Sequence, residues 1–298
     1  MSLTAPETQR TDLFAAPKGG LYIRRQIASV AAIVLTTLFA AAALAFLIYL
    51  VIFVAKQGLR FLNVDFFTQP PAALGELGGG VQPAIVGSLI IVGIASLVGI
   101  PLGLFTGIYL AEFGRGWLSS TLRFLVDMLT GIPSIIFGLF IWVLIVVPSH
   151  SFSGLAGGLA LSIIMIPTVA RATEEVLRLV PRELREASIA LGATESRTIV
   201  QVVLPAALSG IITGVMLALA RVAGETAPLL MTAFGSQFFN IDIARPMAAL
   251  PLQVFNYTLS PYDTQISQAY AGSFVLMALV IVTSLAVRWA TGGFKSSR

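Results

Sequence analysis

The chain has 298 residues, 57% of them hydrophobic and 11% charged, with a formal net charge of +4. Soluble domains run near roughly 45–50% apolar and 25% charged, so the composition excludes an ordinary soluble protein and fixes a membrane one. The absence of cysteine excludes a disulfide framework, thiol catalysis and thiolate metal sites.

Taken in chain order, residues 1–20 hold two prolines among mixed polar groups and read as a loose tail. Uncharged runs follow at 26–55, 81–111, 128–147, 154–170, 198–220 and 264–287. A bilayer crossing needs about 20 residues, so these runs predict an all-α polytopic membrane protein with six transmembrane helices. The fourth run is the shortest, and Pro167 near its end blurs its boundary. The first is far longer than the 7–15-residue core of an export signal and is expected to remain as an uncleaved span. This divides the chain into a tail (1–25), a first span (26–55), an external loop (56–82), a core domain (83–290) and a second tail (291–298).

Within the loop, Phe61, Phe66 and Phe67 suit a short segment at the membrane interface, and Gly75–Gly80 reads as flexible. Gly87, Ser88, Gly93, Ser96, Gly99 and Gly103 dot the second span and suit close helix packing. In the third, Thr130-Gly-Ile-Pro-Ser134 predicts a kink, because Pro133 removes a backbone hydrogen bond. Arg123 and Asp127 are spaced as an i,i+4 pair at its boundary, and Glu112 with Arg115 forms a similar edge. His150 stands alone, so a metal site is not expected. Prolines at 228, 246, 251 and 261 break the segment 226–263, which has room for a re-entrant or interfacial helix.

Between the fourth and fifth apolar runs lies a charged island, Arg171–Arg197, with five Arg and five Glu. Pro181 suits the first turn of a helix, and Gly192 suits its C-terminal stop. Leu184, Ala187, Ser188 and Leu191 fall at i, i+3, i+4 and i+7 as an apolar-to-neutral stripe. Arg182, Glu183, Arg185 and Glu186 surround it, with Arg182 and Glu186 at i,i+4 spacing. The residues leave two readings open: a solvated loop helix, or a docking helix for a groove in a cytoplasmic protein.

With six spans both termini and the island share one side. That side holds Arg10, Lys18, Arg24, Arg25, Arg115, Arg123, the five island arginines, Arg288, Lys295 and Arg298, against Lys56, Arg60 and Arg245 opposite. Basic residues favour the cytoplasm, so both termini and the island are expected there. The basic excess is a topology signal and gives no reason to expect nucleic-acid binding.

The apolar territory from Thr198 to Ile241 is interrupted only by Arg221 and Glu225. A charge at membrane depth costs roughly 2.5–3.5 kcal/mol on insertion scales. The i,i+4 spacing places both on one helix face. A self-neutralising pair that pins the fold is one reading, and an arginine snorkelling to the interface is another. A third is a permeant-facing Arg221 that meets an anion through its planar fork of donors, with Glu225 orienting it and limiting affinity.

Glu186-Ala-Ser-Ile-Ala-Leu-Gly192, nine residues, then Val202-Val-Leu-Pro205 resembles the EAA loop of ABC importer permeases. The family pattern is Glu-Ala-Ala, three residues, Gly, nine residues, Ile-x-Leu-Pro; Ser188 and Val202 are mild departures. Arg221-Val-Ala-Gly-Glu-Thr-Ala-Pro228 and Gly131-Ile-Pro-Ser-Ile-Ile-Phe-Gly138 resemble runs in permeases of the high-affinity phosphate importer. Thr68-Gln-Pro-Pro followed by Gly78-Gly-Gly is similar to the first external loop of its PstA-type subunit rather than its PstC-type partner. The likeness extends over roughly residues 20–290, nearly the whole chain.

The resemblance implies a permease fold whose cytoplasmic coupling helix docks in an ATPase through Arg182, Leu184, Glu186, Ala187, Ser188, Leu191 and Gly192, within an EAA loop at about 171–205. It implies Arg221 and Glu225 in the phosphate pathway and no catalytic residue on this chain. No G-x-x-x-x-G-K-[ST] run occurs, so ATP and Mg are expected on the partner. The implied assembly, in a bacterial inner membrane, adds a homologous permease, two ATPase subunits and an external phosphate-binding protein. A permease for sulfate, molybdate or tungstate, or a passive anion channel, are the alternatives.

Overall fold

A computed structural model describes residues 20–290 apart from 74, 75 and 77. The tails at 1–19 and 291–298, and positions 75 and 77 of the glycine run expected to be flexible, lie outside the described residues. The chain divides into two units, Met1–Phe53 and Val54–Arg298, each described by itself. The first contributes most of α1 (Gly20–Gly58), a helix apolar on every side whose residues up to Leu50 are exposed wherever they are described. A helix without a polar face has lipid as its natural solvent.

The described residues of the second unit form helices joined by loops, with only isolated bridges between extended residues. A short α2 (Val64–Thr68) is capped by Asn63, whose side chain accepts from Phe66 N at 2.7 Å. Next come α3 (Gln82–Ile108), extended by a π turn over Tyr109–Phe113, and α4 (Trp117–Gly131). Then α5 (Ser134–Ile141) runs through another π turn into α6 (Val147–Ser149). After α7 (Gly154–Arg178) and α8 (Arg182–Ala190), α9 (Glu195–Thr198) leads by a π turn into α10 (Leu204–Ala223). The chain closes with α11 (Ala227–Thr232), α12 (Leu250–Thr258) and α13 (Asp263–Ala290).

Among the described residues five helical stretches are long and apolar enough to cross a membrane: 22–61, 82–113, 154–178, 195–223 and 263–285. A sixth crossing exists if α4 and α5–α6 count as one span, bent by 102°. The kink predicted at Pro133 is therefore a full break. Ile132 is extended (ψ 132), as a residue before proline prefers, and Pro133 has no N–H with which to continue α4. At the fourth span the apolar run understated the helix. Pro167 is absorbed inside α7, which continues to Arg178, so the first third of the charged island is the end of a span and not a loop.

The core forms where α3 lies along α7. Ile91, Ala95, Leu161, Met165 and Val169 are buried there. Gly99 faces Met165 and Gly103 faces Val169, Gly87 faces Ala248, and Ser88 Oγ accepts from Leu250 N at 2.7 Å. Gly93 meets no neighbouring atom and stands outside the packing stripe. Phe66 is 1% exposed, in a second cluster with Val81, Ala84, Ala248, Leu250 and Ala271. It is a core residue, so of the three loop phenylalanines only Phe61 and Phe67 are free to meet an interface.

Candidate functional site

Two chain breaks meet in the core. One is Gly131–Ser134, between α4 and α5; the other is Gly224–Thr226, between α10 and α11. Leu129, Ile132 and Phe137 share a cluster with Val222, Leu229 and Leu230. Gly138 lies against Pro228, where a Cβ on Gly138 would lie 2.6 Å from Pro228 Cα. The two runs that resemble phosphate-permease signatures thus pack on each other. Broken helices at membrane depth need neighbours to satisfy the freed backbone. Within α11, Thr232 Oγ1 donates to Pro228 O at 2.8 Å.

Arg221 occupies the last turn of α10, where the carbonyl end of the helix favours a cation. Glu225 lies one residue past the Gly224 cap. Arg221 Nε and Glu225 Oε1 are 3.9 Å apart, with side chains 50% and 18% exposed. This is a loose ion pair, too long for a hydrogen bond. Among the described residues Arg221 has no hydrogen-bond acceptor, which leaves its guanidinium donors available.

At the island, α8 carries two stripes. Leu184, Ala187, Ser188 and Leu191 line an open groove of about 440 Å³ together with Gly192, Arg197 and Gln201. Leu191 is 91% exposed, an apolar side chain presented on a charged helix. Gly192 takes φ +87 and its N–H donates to Ile189 O at 2.9 Å, a left-handed turn that glycine enters without a Cβ clash. Ser188 Oγ and Thr198 Oγ1 lie 2.9 Å apart and tie α8 to α9. The opposite stripe, Arg182, Arg185 and Glu186, faces a cavity shared with Glu112 and Arg115 at the end of α3.

The ion pairs differ from those expected from spacing. Arg185 pairs with Glu112 and donates to Leu177 O at 2.8 Å, so Glu112 is not Arg115's partner. Arg123 reaches Glu174 at 2.7 Å and Leu110 O at 2.8 Å, while Asp127 faces Arg171 at 3.6 Å. Arg182 and Glu186 are not paired among the described residues. Glu174, 1% exposed, also receives Arg178 at 2.6 Å and Arg171 at 3.7 Å. The Arg171–Glu174–Arg178 spacing was readable once α7 is known to reach Arg178. The Arg123–Glu174 and Arg185–Glu112 contacts span 51 and 73 residues and leave no local signal. Among the described residues no three His, Cys, Asp or Glu side chains gather to hold a metal.

A charged helix standing off the spans, a third span broken by 102° and a chain break directly after the fifth belong to an all-α polytopic membrane protein. Residues 99–294 match the model of the "binding-protein-dependent transport system inner membrane component" family, and the chain belongs to that family. It is 41% identical over 243 residues to the phosphate transport system permease protein PstA of Yersinia pestis, covering 81% of this chain and 82% of that one. To the PstA of Xylella fastidiosa strain Temecula1 it is 41% identical over 273 residues, covering 90% and 94%. Among solved structures, the MetNI methionine ABC transporter in an inward-facing conformation matches with TM-score 0.56 at 21% identity, over 73% of this chain and 95% of that one. That likeness is one of fold.

Proposed function

We propose that the chain is the permease subunit of an ATP-driven inorganic phosphate importer, forming half of the pathway beside a homologous permease. The carrying observation is the identity to phosphate transport system permeases along most of the chain. Two ATPase subunits sit below, each gripping a permease at a helix like α8, and an external phosphate-binding protein docks opposite. Both termini lie in the cytoplasm, as the distribution of basic residues favours. The chain itself performs no covalent step.

The groove stripe Leu184, Ala187, Ser188 and Leu191, with Gly192, meets the ATPase, and its exposed leucines supply the apolar anchor. Arg182 and Glu186 act from the other stripe. ATPase closure moves α8, and the Arg185–Glu112 pair passes the movement to the π turn at the end of α3. Spans then rock to open the pathway, where Arg221 offers phosphate a charge-matched stop. Glu225 orients Arg221 and keeps the stop weak enough to leave.

Uptake of labelled phosphate by the assembly reconstituted in liposomes tests this. Uptake should require ATP and resist excess sulfate, molybdate or tungstate. Strong competition by any of these would reassign the substrate to another oxyanion, and uptake without ATP would make the protein a passive channel.

A further inference from the structure

We propose that the cavity between the start of α8 and the end of α3 binds a phosphate-bearing anion, carried by a lipid headgroup or free in solution. This goes beyond the transport reading and does not need it. The cavity measures about 450 Å³ and is lined by Arg115, Arg178, Arg182 and Arg185 against Glu112 and Glu186. Arg185 is neutralised by Glu112, and Arg178 is spent on Glu174 at 2.6 Å. Arg115 and Arg182 remain, and among the described residues neither forms an ion pair. Glu186 opposes them, which leaves an excess of one positive charge.

Two further features favour an anion there. α8 begins behind Pro181, which supplies no capping side chain, so its first-turn N–H groups add a positive helix end beside Arg182. Arg115 is flanked by Phe113 and Trp117, which are 48% and 79% exposed. Phe113 closes an apolar helical stretch of 32 residues and Trp117 opens α4, and such rings sit at headgroup level. Basic pockets between spans at the cytoplasmic surface are a common seat for anionic headgroups. An anion held by Arg115 and Arg182 would brace the same two ends that Arg185 and Glu112 join.

The test titrates the detergent-purified transporter complex with phosphatidylglycerol or phosphatidylcholine and counts retained lipid by native mass spectrometry. Phosphatidylglycerol should be retained and phosphatidylcholine should not. Arg115→Gln should weaken retention about fivefold, the weight of one arginine near a charged surface, while Arg115→Lys keeps it. Millimolar inorganic phosphate separates the sources: displacement of the lipid, or an Arg115-dependent rise in melting temperature without lipid, assigns the site to free phosphate, and neither effect assigns it to the headgroup. The proposal is overturned if neither lipid retention nor phosphate-induced stabilisation depends on Arg115. The readout is binding, so its failure is distinct from a failure of phosphate transport.

Discussion

Glu174 and Glu225 both meet arginine, yet in opposite ways. Glu174 is 1% exposed and gathers Arg178 at 2.6 Å, Arg123 at 2.7 Å and Arg171 at 3.7 Å. Glu225 meets one arginine at 3.9 Å, and half of that arginine is exposed. A buried carboxylate surrounded by cations is fixed, because removing any of its support strands charge. A loose, half-exposed pair contributes little to stability and leaves donors free for another anion. The first group joins α4 to α7 and suits structure; the second suits a pathway.

Removing the fixed carboxylate has the largest expected effect. Glu174→Ala should cost about 3 kcal/mol, near the low end for a broken buried pair because its arginines reach solvent. A melting temperature unchanged in detergent would contradict the structural role. Gly192→Pro should act next, at about 2 kcal/mol locally: it removes the 2.9 Å bond to Ile189 O and forbids φ +87. Co-purification of the ATPase should fall while the permease's own yield holds; full recovery would return α8 to a merely solvated helix. The smallest effect belongs to Glu225→Gln. It frees Arg221 from a weak partner, so the apparent KM for phosphate should drop about two- to fivefold. An increased KM would show that the carboxylate supports binding rather than limiting it.

The sequence was most legible where chemistry is local. The stop of α8 at Gly192 follows from glycine alone, and the spans from unbroken apolar runs. It misled where helix and polarity part company. α7 carries its charges to Arg178 because Glu174 is paired inside the core, something no hydropathy window registers. The 102° turn at Gly131–Ser134 is larger than a single proline implies, and beyond it α5 packs on α11 through Gly138 on Pro228. Arg221 and Glu225 were visible as rare charges in an apolar stretch, but their looseness was not. It comes from Gly224 ending α10 between them, which turns an expected helical pair into a side chain and its loop neighbour.

The contrast between the two arginine groups is tested most directly by phosphate uptake per folded transporter in Arg221→Gln, with ATP hydrolysis measured on the same liposomes. Losing one or two charge-assisted hydrogen bonds should lower uptake at least about tenfold, with membrane abundance, melting temperature and ATPase attachment unchanged. Normal uptake by this variant, or its failure to fold, would contradict the assignment of Arg221 to the pathway.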